Sequence, residues 1–218
     1  MSRDIAIVWQ HRDVLLDGFM RTVLLTTITT IAAILMGTIL ATLMQSRFRL
    51  LFSIIQIFVD TMRCIPFLLF AYLLYYGLPT FGIRMSSWNT GLLALIVYSS
   101  AYVTEILRGA WAALPRDSIE AGEAFGFSRF NLFRHIILAP LMFATAPLIG
   151  NQIIQIVKDS AFLMVITVPE LTYAATYVQS TYFTPFAAFI AALVLYWCLT
   201  MLVETVVAFV DRRAVIRR

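Results

Sequence analysis

The sequence predicts an all-α integral membrane protein, a single bundle of about five transmembrane helices that carries one sizeable loop on its cytoplasmic side. Hydrophobic residues make up 61% of the 218 and charged ones only 13%, with a mean hydropathy of +0.87, too apolar a balance for a soluble domain of this length. Uncharged runs cover residues 22–46, 64–83, 85–104, 136–157 and 171–203, and a bilayer crossing needs roughly 20 apolar residues. Five spans put the termini on opposite sides, and the arginines divide unevenly between them. Arg3, Arg12, Arg21 and Arg84 fall on one side; Arg47, Arg49, Arg108, Arg116, Arg129, Arg134, Arg212, Arg213, Arg217 and Arg218 fall on the other. The richer side is the cytoplasmic one, which places the N-terminus outside and the C-terminus inside. The net charge of +4 is then a topology signal, and no nucleic acid is expected as a partner.

Ahead of the first span, IAIVWQHRDVLLDGF mixes Trp9 and aliphatic residues with charges, the pattern of an interfacial helix lying flat on the outer surface. The span itself opens after Asp17 and Arg21, too late for the apolar core of a cleavable signal, so it reads as a retained anchor. Pro66 interrupts the second span, and Gly77, Pro79 and Gly82 close it into an outer loop, with Trp88 anchoring the third span at the interface. Backbone groups freed by such a break need protein or a water-filled cavity to satisfy them. Arg63, three residues before Pro66, reads as paired with Asp60 one turn back, and Glu105 and Arg108 have the same spacing at the inner end of the third span. Cys64 and Cys198 lie in apolar stretches, where a thiol acts as a small hydrophobe.

Residues 115–140 leave the membrane. The segment RDSIEAGEAFGFSRFNLFRHIILAP reads as two short helices around a glycine turn. Asp117 and Glu120 have capping-box spacing, Gly126 is placed to end the first helix in a left-handed conformation, and Ser128 can cap the second. Phe130, Phe133 and Ile137 form an apolar stripe that either packs on the bundle or meets a partner.

Enzyme chemistry finds no motif here. There is no GxxxxGK[ST] phosphate loop, Lys158 is the sole lysine, and His11 and His135 are the only histidines, so neither an HExxH site nor a Cys and His cluster can form. The fourth span instead ends in NQIIQIVKDS. At about 100° per residue from Asn151, Gln155 falls near 40°, Lys158 near −20°, Asp159 near 80° and Gln152 near 100°, one polar arc against an aliphatic remainder. Ionisable residues at that depth cost about 2.5–3.5 kcal/mol on insertion scales, so they face a cavity or a partner rather than lipid. Two readings stay open, a helix-packing seam and a path for a zwitterionic solute, with Asp159 toward its ammonium and Lys158 toward its carboxylate. Ser160 and Arg63 join the second reading as further path residues.

The loop resembles the EAA loop of ABC transporter permeases, whose pattern is E-A-A, three residues, G, nine residues, I-x-L-P. Glu120, Ala121, Gly126, Ile136 and Leu138 match in register; Gly122 replaces the second Ala, and Ala139 stands at the proline position, with Pro140 one place later. SAYVTEILRGAWAALP before the loop, VKDSAFLMVITVPELT after it, and Arg63–Pro66 in place of R-G-T-P extend the likeness over nearly the whole chain, to the polar amino acid permeases.

That resemblance implies a type I importer fold, one permease domain over 1–218 with the coupling loop at 115–140. It implies a second permease subunit, identical or not, a solute-binding protein in the periplasm or at the surface, and a lipid setting in a bacterial inner membrane. Two partner ATPase subunits would bind the ATP and Mg, so this chain needs no cofactor. Glu120, Ala121, Gly122, Phe125 and Gly126 would dock in the ATPase and pass its closure to the spans in an alternating-access cycle. Permeases of this group that accept basic amino acids can carry an acidic residue seven positions before the Asp of K-D-S. Gln152 stands there here, which favours neutral or polar substrates. A secondary transporter, which would show internal repeats, and a non-transporting membrane subunit remain as alternatives.

Overall fold

The computed structural model describes residues 2–46 and 48–215, so Arg47, Arg217 and Arg218 of the charge count lie outside the described residues. Every regular element among them is helical. The first, α1 (Ser2–Gln10), exposes Ile5 and Trp9, and the Arg12 guanidinium sits 5.2 Å from the centre of the Trp9 ring. The flat helix expected over the whole N-terminal stretch stops there. From Arg12 the chain is already in α2 (Arg12–Leu43), whose 32 residues run about 48 Å, longer than the ~30 Å hydrocarbon layer, so its charged first turns project beyond lipid. Within lipid, the Thr22, Thr26, Thr38 and Thr42 hydroxyls donate to carbonyls four residues back at 2.7–3.1 Å, so the threonine-rich run crosses with those donors satisfied.

The central element is α5 (Ser87–Ala112), started by Ser86 Oγ accepting from Asn89 N–H at 3.3 Å. Its buried face takes α2. A Cβ added to Gly37 would lie 2.7 Å from Val103 Cβ, so glycine there lets the two backbones approach. Two more long helices complete the frame, α8 (Leu138–Ser160), extended by a 3₁₀ turn over Ala161–Ile166, and α10 (Pro185–Val215). Among the described residues, four stretches are long and apolar enough to cross a bilayer, Arg12–Leu43, Ser87–Ala112, Pro140–Ile166 and Pro185–Phe209, and a bent pair supplies a fifth when counted as one span.

That pair corrects the second span. It begins at Arg49 rather than Cys64: α3 (Arg49–Cys64) and α4 (Phe67–Gly77) meet at an extended Ile65–Pro66 link and are bent by 107°. Alone, the 11 residues of α4 reach only about 16 Å, half a bilayer. The fifth uncharged run is likewise not one helix. It divides into α9 (Leu171–Tyr182) and α10, with Phe183 left-handed at φ 55° and Pro185 opening the second helix. Hydropathy could not show this break because no charge marks it. Phe67, Phe70 and Ala71 of α4 pack with Leu95, Tyr98, Leu163 and Ile166 into one core, whereas Cys64 and Cys198 lie exposed on the bundle.

Candidate functional site

Between α5 and α8 the chain forms α6 (Arg116–Ala124) and α7 (Arg129–Leu132). The expected capping box does not form. Pro115 is the N-cap and Arg116 the first helical residue, so Asp117 already lies inside the first turn and caps nothing. The C-terminal signal is present in full: Gly126 takes φ +77°, its N–H donates to Glu123 C=O at 2.9 Å, and Phe127 N–H donates to Gly122 C=O at 3.1 Å. Ser128 Oγ accepts from Asn131 N–H at 3.3 Å at the head of α7.

A π turn over Phe133–Ile137 then joins α7 to α8. One extra residue in that turn rotates the helix beyond it, and the stripe of Phe130, Phe133 and Ile137 separates. Phe130 points outward, Phe133 stacks on Trp111 at 5.5 Å, and Ile137 enters the core. The same fold-back explains Gly122, since a methyl there would run into the Cδ1 atoms of Leu132 and Ile136. Glu120, Ala121, Phe125 and Gly126 are exposed, Phe125 at 85%, while Gly122 is buried.

The polar arc on α8 divides in the angular order of its residues. Asn151, Gln155 and Lys158, at the low-angle side, are exposed; Gln152 and Asp159, at the high-angle side, are 7% and 3% exposed. Gln155 Nε2 bridges the two halves by donating to Asp159 Oδ1 at 2.8 Å. The second carboxylate oxygen of Asp159 and the Gln152 amide nitrogen are buried without a hydrogen-bond partner. Ser160, fully buried, donates to Val157 C=O at 2.7 Å. The helix that carries Asp159 packs on α5, which carries Tyr98.

Tyr98 was not legible as a functional residue, and neither were its neighbours. Tyr98, Tyr102 and Glu105 stand at i, i+4 and i+7 on α5 and turn one stripe toward the Pro66 break. Tyr98 Oη donates to Ile65 C=O at 3.2 Å, satisfying a carbonyl that the break frees, and lies 3.2 Å from Tyr102 Oη. Arg63 pairs with Glu105 at 3.5 Å, not with Asp60, whose two oxygens accept from Gln56 Nε2 at 2.8 and 2.9 Å. The expected Glu105–Arg108 pair is present and bidentate, 2.7 Å at both contacts. Glu170 is a further unforeseen group. Wholly buried at the start of α9, it accepts from the N–H groups of Thr172 and Tyr173 at 2.8 and 2.7 Å and from Tyr196 Oη of α10 at 2.6 Å. An N-cap carboxyl directly before an apolar helix was the available signal.

A family model described as the binding-protein-dependent transport system inner membrane component matches residues 18–216. The chain belongs to this family. It is the permease subunit of an ABC importer, a multi-pass protein of the inner membrane and not the ATPase, which handles ATP; an ATPase and a solute-binding protein are its implied partners. The permease is 29% identical over 210 residues to the probable glutamine ABC transporter permease GlnM of Bacillus subtilis, covering 96% of this chain and 97% of that one. It is 37% identical over 129 residues to the histidine/lysine/arginine/ornithine transport system permease HisM of Salmonella typhimurium, 59% of this chain and 53% of that one. A crystal structure of an amino acid ABC transporter with histidines superposes with a TM-score of 0.87 at 27% identity, over 94% of this chain and 96% of that one.

Proposed function

We propose that this permease carries neutral or polar amino acids, or close relatives of them, and that the α8 face with Tyr98 forms its solute path. The observation that carries the reading is the pair of unpartnered buried groups, Asp159 Oδ2 and Gln152 Nε2, on one side of α8 at membrane depth. A buried acceptor and donor left without partners cost about 1–3 kcal/mol each, so a ligand that supplies an ammonium donor and an acceptor is favoured there. Lys158 and Asn151, on the adjoining exposed arc, are placed for a carboxylate, and Arg63 lies near the Pro66 break that Tyr98 contacts. The names of the relatives, which concern glutamine and basic amino acids, support the solute class. Gln152 in place of an acidic residue supports the neutral end of it.

In this reading the N-terminus is outside and the C-terminus inside, as the arginine distribution favours. Glu120, Ala121, Phe125 and Gly126 dock on the ATPase, with Gly122 setting the loop beneath them, and two permease subunits pair around the path. The test is binding-protein-dependent uptake by the reconstituted complex across a panel of amino acids and derivatives. The expected result is saturable uptake of at least one neutral or polar member. Uptake restricted to arginine, lysine and ornithine would overturn the neutral lean, and no amino-acid uptake at all would overturn the class.

A further inference from the structure

Two helices meet at the Pro66 break, and both pack on α5. Beyond Pro66, α4 buries Phe67, Phe70 and Ala71 in the core, while Tyr98 holds the link itself through Ile65 C=O. On the other side, α3 buries only Ile55 and Val59 among its described side chains and exposes Phe52, Ile54 and Ile57. The link between them is extended, Ile65 at φ −92°, ψ 135° and Pro66 at φ −63°, ψ 132°. Rotation there breaks no continuous helix, because proline has already removed the donor that would bridge it.

The end of α3 packs on α5 through Val59 and Ala101, and beside the Tyr98 bond to its C-cap Ile65 it makes one ion pair with α5, whose geometry is asymmetric. Arg108 grips Glu105 with two 2.7 Å bonds from the same helix, while Arg63 reaches Glu105 Oε1 from across the break at 3.5 Å. Removing one member of a pair is costly where it strands a charge. Here Arg63 can leave while Glu105 keeps Arg108, and the Arg63 side chain is 40% exposed. Glu105 is thus positioned by its own helix and offers Arg63 a contact that can be made and released while Arg108 stays bound.

We propose that Arg63 and Glu105 form a releasable latch, and that α3 pivots about Ile65–Pro66 as the permease changes access, closed on α5 when the latch is made and swung away when it is broken. The inference rests on the alternating-access transport reading, with Glu105 a positioning residue acting through Arg63. Asp60, the other carboxylate on α3, accepts from Gln56.

The native Cys64, exposed and next to Arg63, reports on the pivot. In the reconstituted complex with ATPase and binding protein, Cys198→Ser leaves Cys64 as the only thiol of this chain, and its alkylation by a maleimide is timed by mass spectrometry. The rate is expected to differ about fivefold or more between the nucleotide-free and the ATP–vanadate-trapped complex. Arg63→Gln should move the slower state toward the faster by about two- to fivefold, the shift that loss of a partly screened ion pair gives a two-state equilibrium, while Arg63→Lys restores the parent difference. Equal rates in both states, or an Arg63→Gln variant indistinguishable from its parent, would overturn the latch. A disulfide between Val59→Cys and Ala101→Cys, which share one packed cluster, made in a Cys64→Ser, Cys198→Ser background, should stop cycling until reduced; undiminished uptake in the oxidised complex would also overturn it. Because alkylation does not depend on the solute, a complex that alternates yet imports no amino acid breaks the solute reading and leaves the latch standing.

Discussion

The 115–140 loop and the polar face of α8 are neighbours along the chain and hold their candidate groups by different means. In the loop, backbone turns set the geometry: Gly126 at φ +77° and the two carbonyls it helps to close fix where Glu120 and Phe125 project, and those side chains lie in the open. On α8, the regular helix gives no such direction. Asp159 and Gln152 are special because tertiary packing covers them and leaves polar atoms unpaired. A surface built by local turns tolerates little change at the turn and much around it, whereas a site built by packing is sensitive to charge and to the fit of its neighbours.

The contrast breaks most visibly at the loop. Glu120→Arg combined with Gly126→Trp reverses a docking charge and forces a bulky side chain into the left-handed region, a strain of about 1–2 kcal/mol. Coupled uptake should fall more than about tenfold, with the thermal unfolding of the bundle unchanged, because a local turn carries little of the core. Full coupling in that variant would sink the docking role.

At the packed site, Asp159→Asn keeps an acceptor for Gln155 and removes the charge. Loss of a charge-assisted hydrogen bond of about 1.5–3 kcal/mol predicts an uptake rate or affinity lower by about 10- to 100-fold, read in an assembled complex. An unchanged transport affinity and rate would mean the face is only a packing seam. Gly37→Ala sharpens the same contrast without touching either site. Its Cβ would press on Val103 within the α2–α5 contact, and the cost expected of overpacking, about 1–3 kcal/mol, should appear as a lower unfolding midpoint in detergent. The smallest effect is expected at Gly122→Ala. The atoms it meets are the flexible ends of Leu132 and Ile136, which can shift, so the cost should stay below about 1 kcal/mol and the change in coupled hydrolysis below about twofold. A collapse of coupling there would show that the loop depends on its packing after all.

Much of the loop was readable in advance because its signals are local. Gly126 and Ser128 act within three or four residues of themselves, and both took the roles their positions indicate. The capping box failed for an equally local reason, the stronger claim of Pro115 on the helix start. The splitting of the Phe130, Phe133 and Ile137 stripe was not readable, since a π turn leaves no mark in a pattern counted at 3.6 residues per turn. Arg63 shows the limit most clearly. Sequence spacing offered Asp60, one turn away, and the structure chose Glu105, 42 positions along the chain, because the break turns the end of α3 toward α5.

Composition, the uncharged runs and the loop spacing were enough to determine a helical membrane permease and where its 115–140 loop turns, because bilayer thickness and turn chemistry act on short stretches of chain. Which polar residues of α8 are covered, which partner Arg63 takes and where the fifth uncharged run breaks were decided only by the tertiary structure. Those outcomes depend on which helix lies alongside, and at membrane depth a polar group is defined by its neighbours, since no water is present to stand in for them.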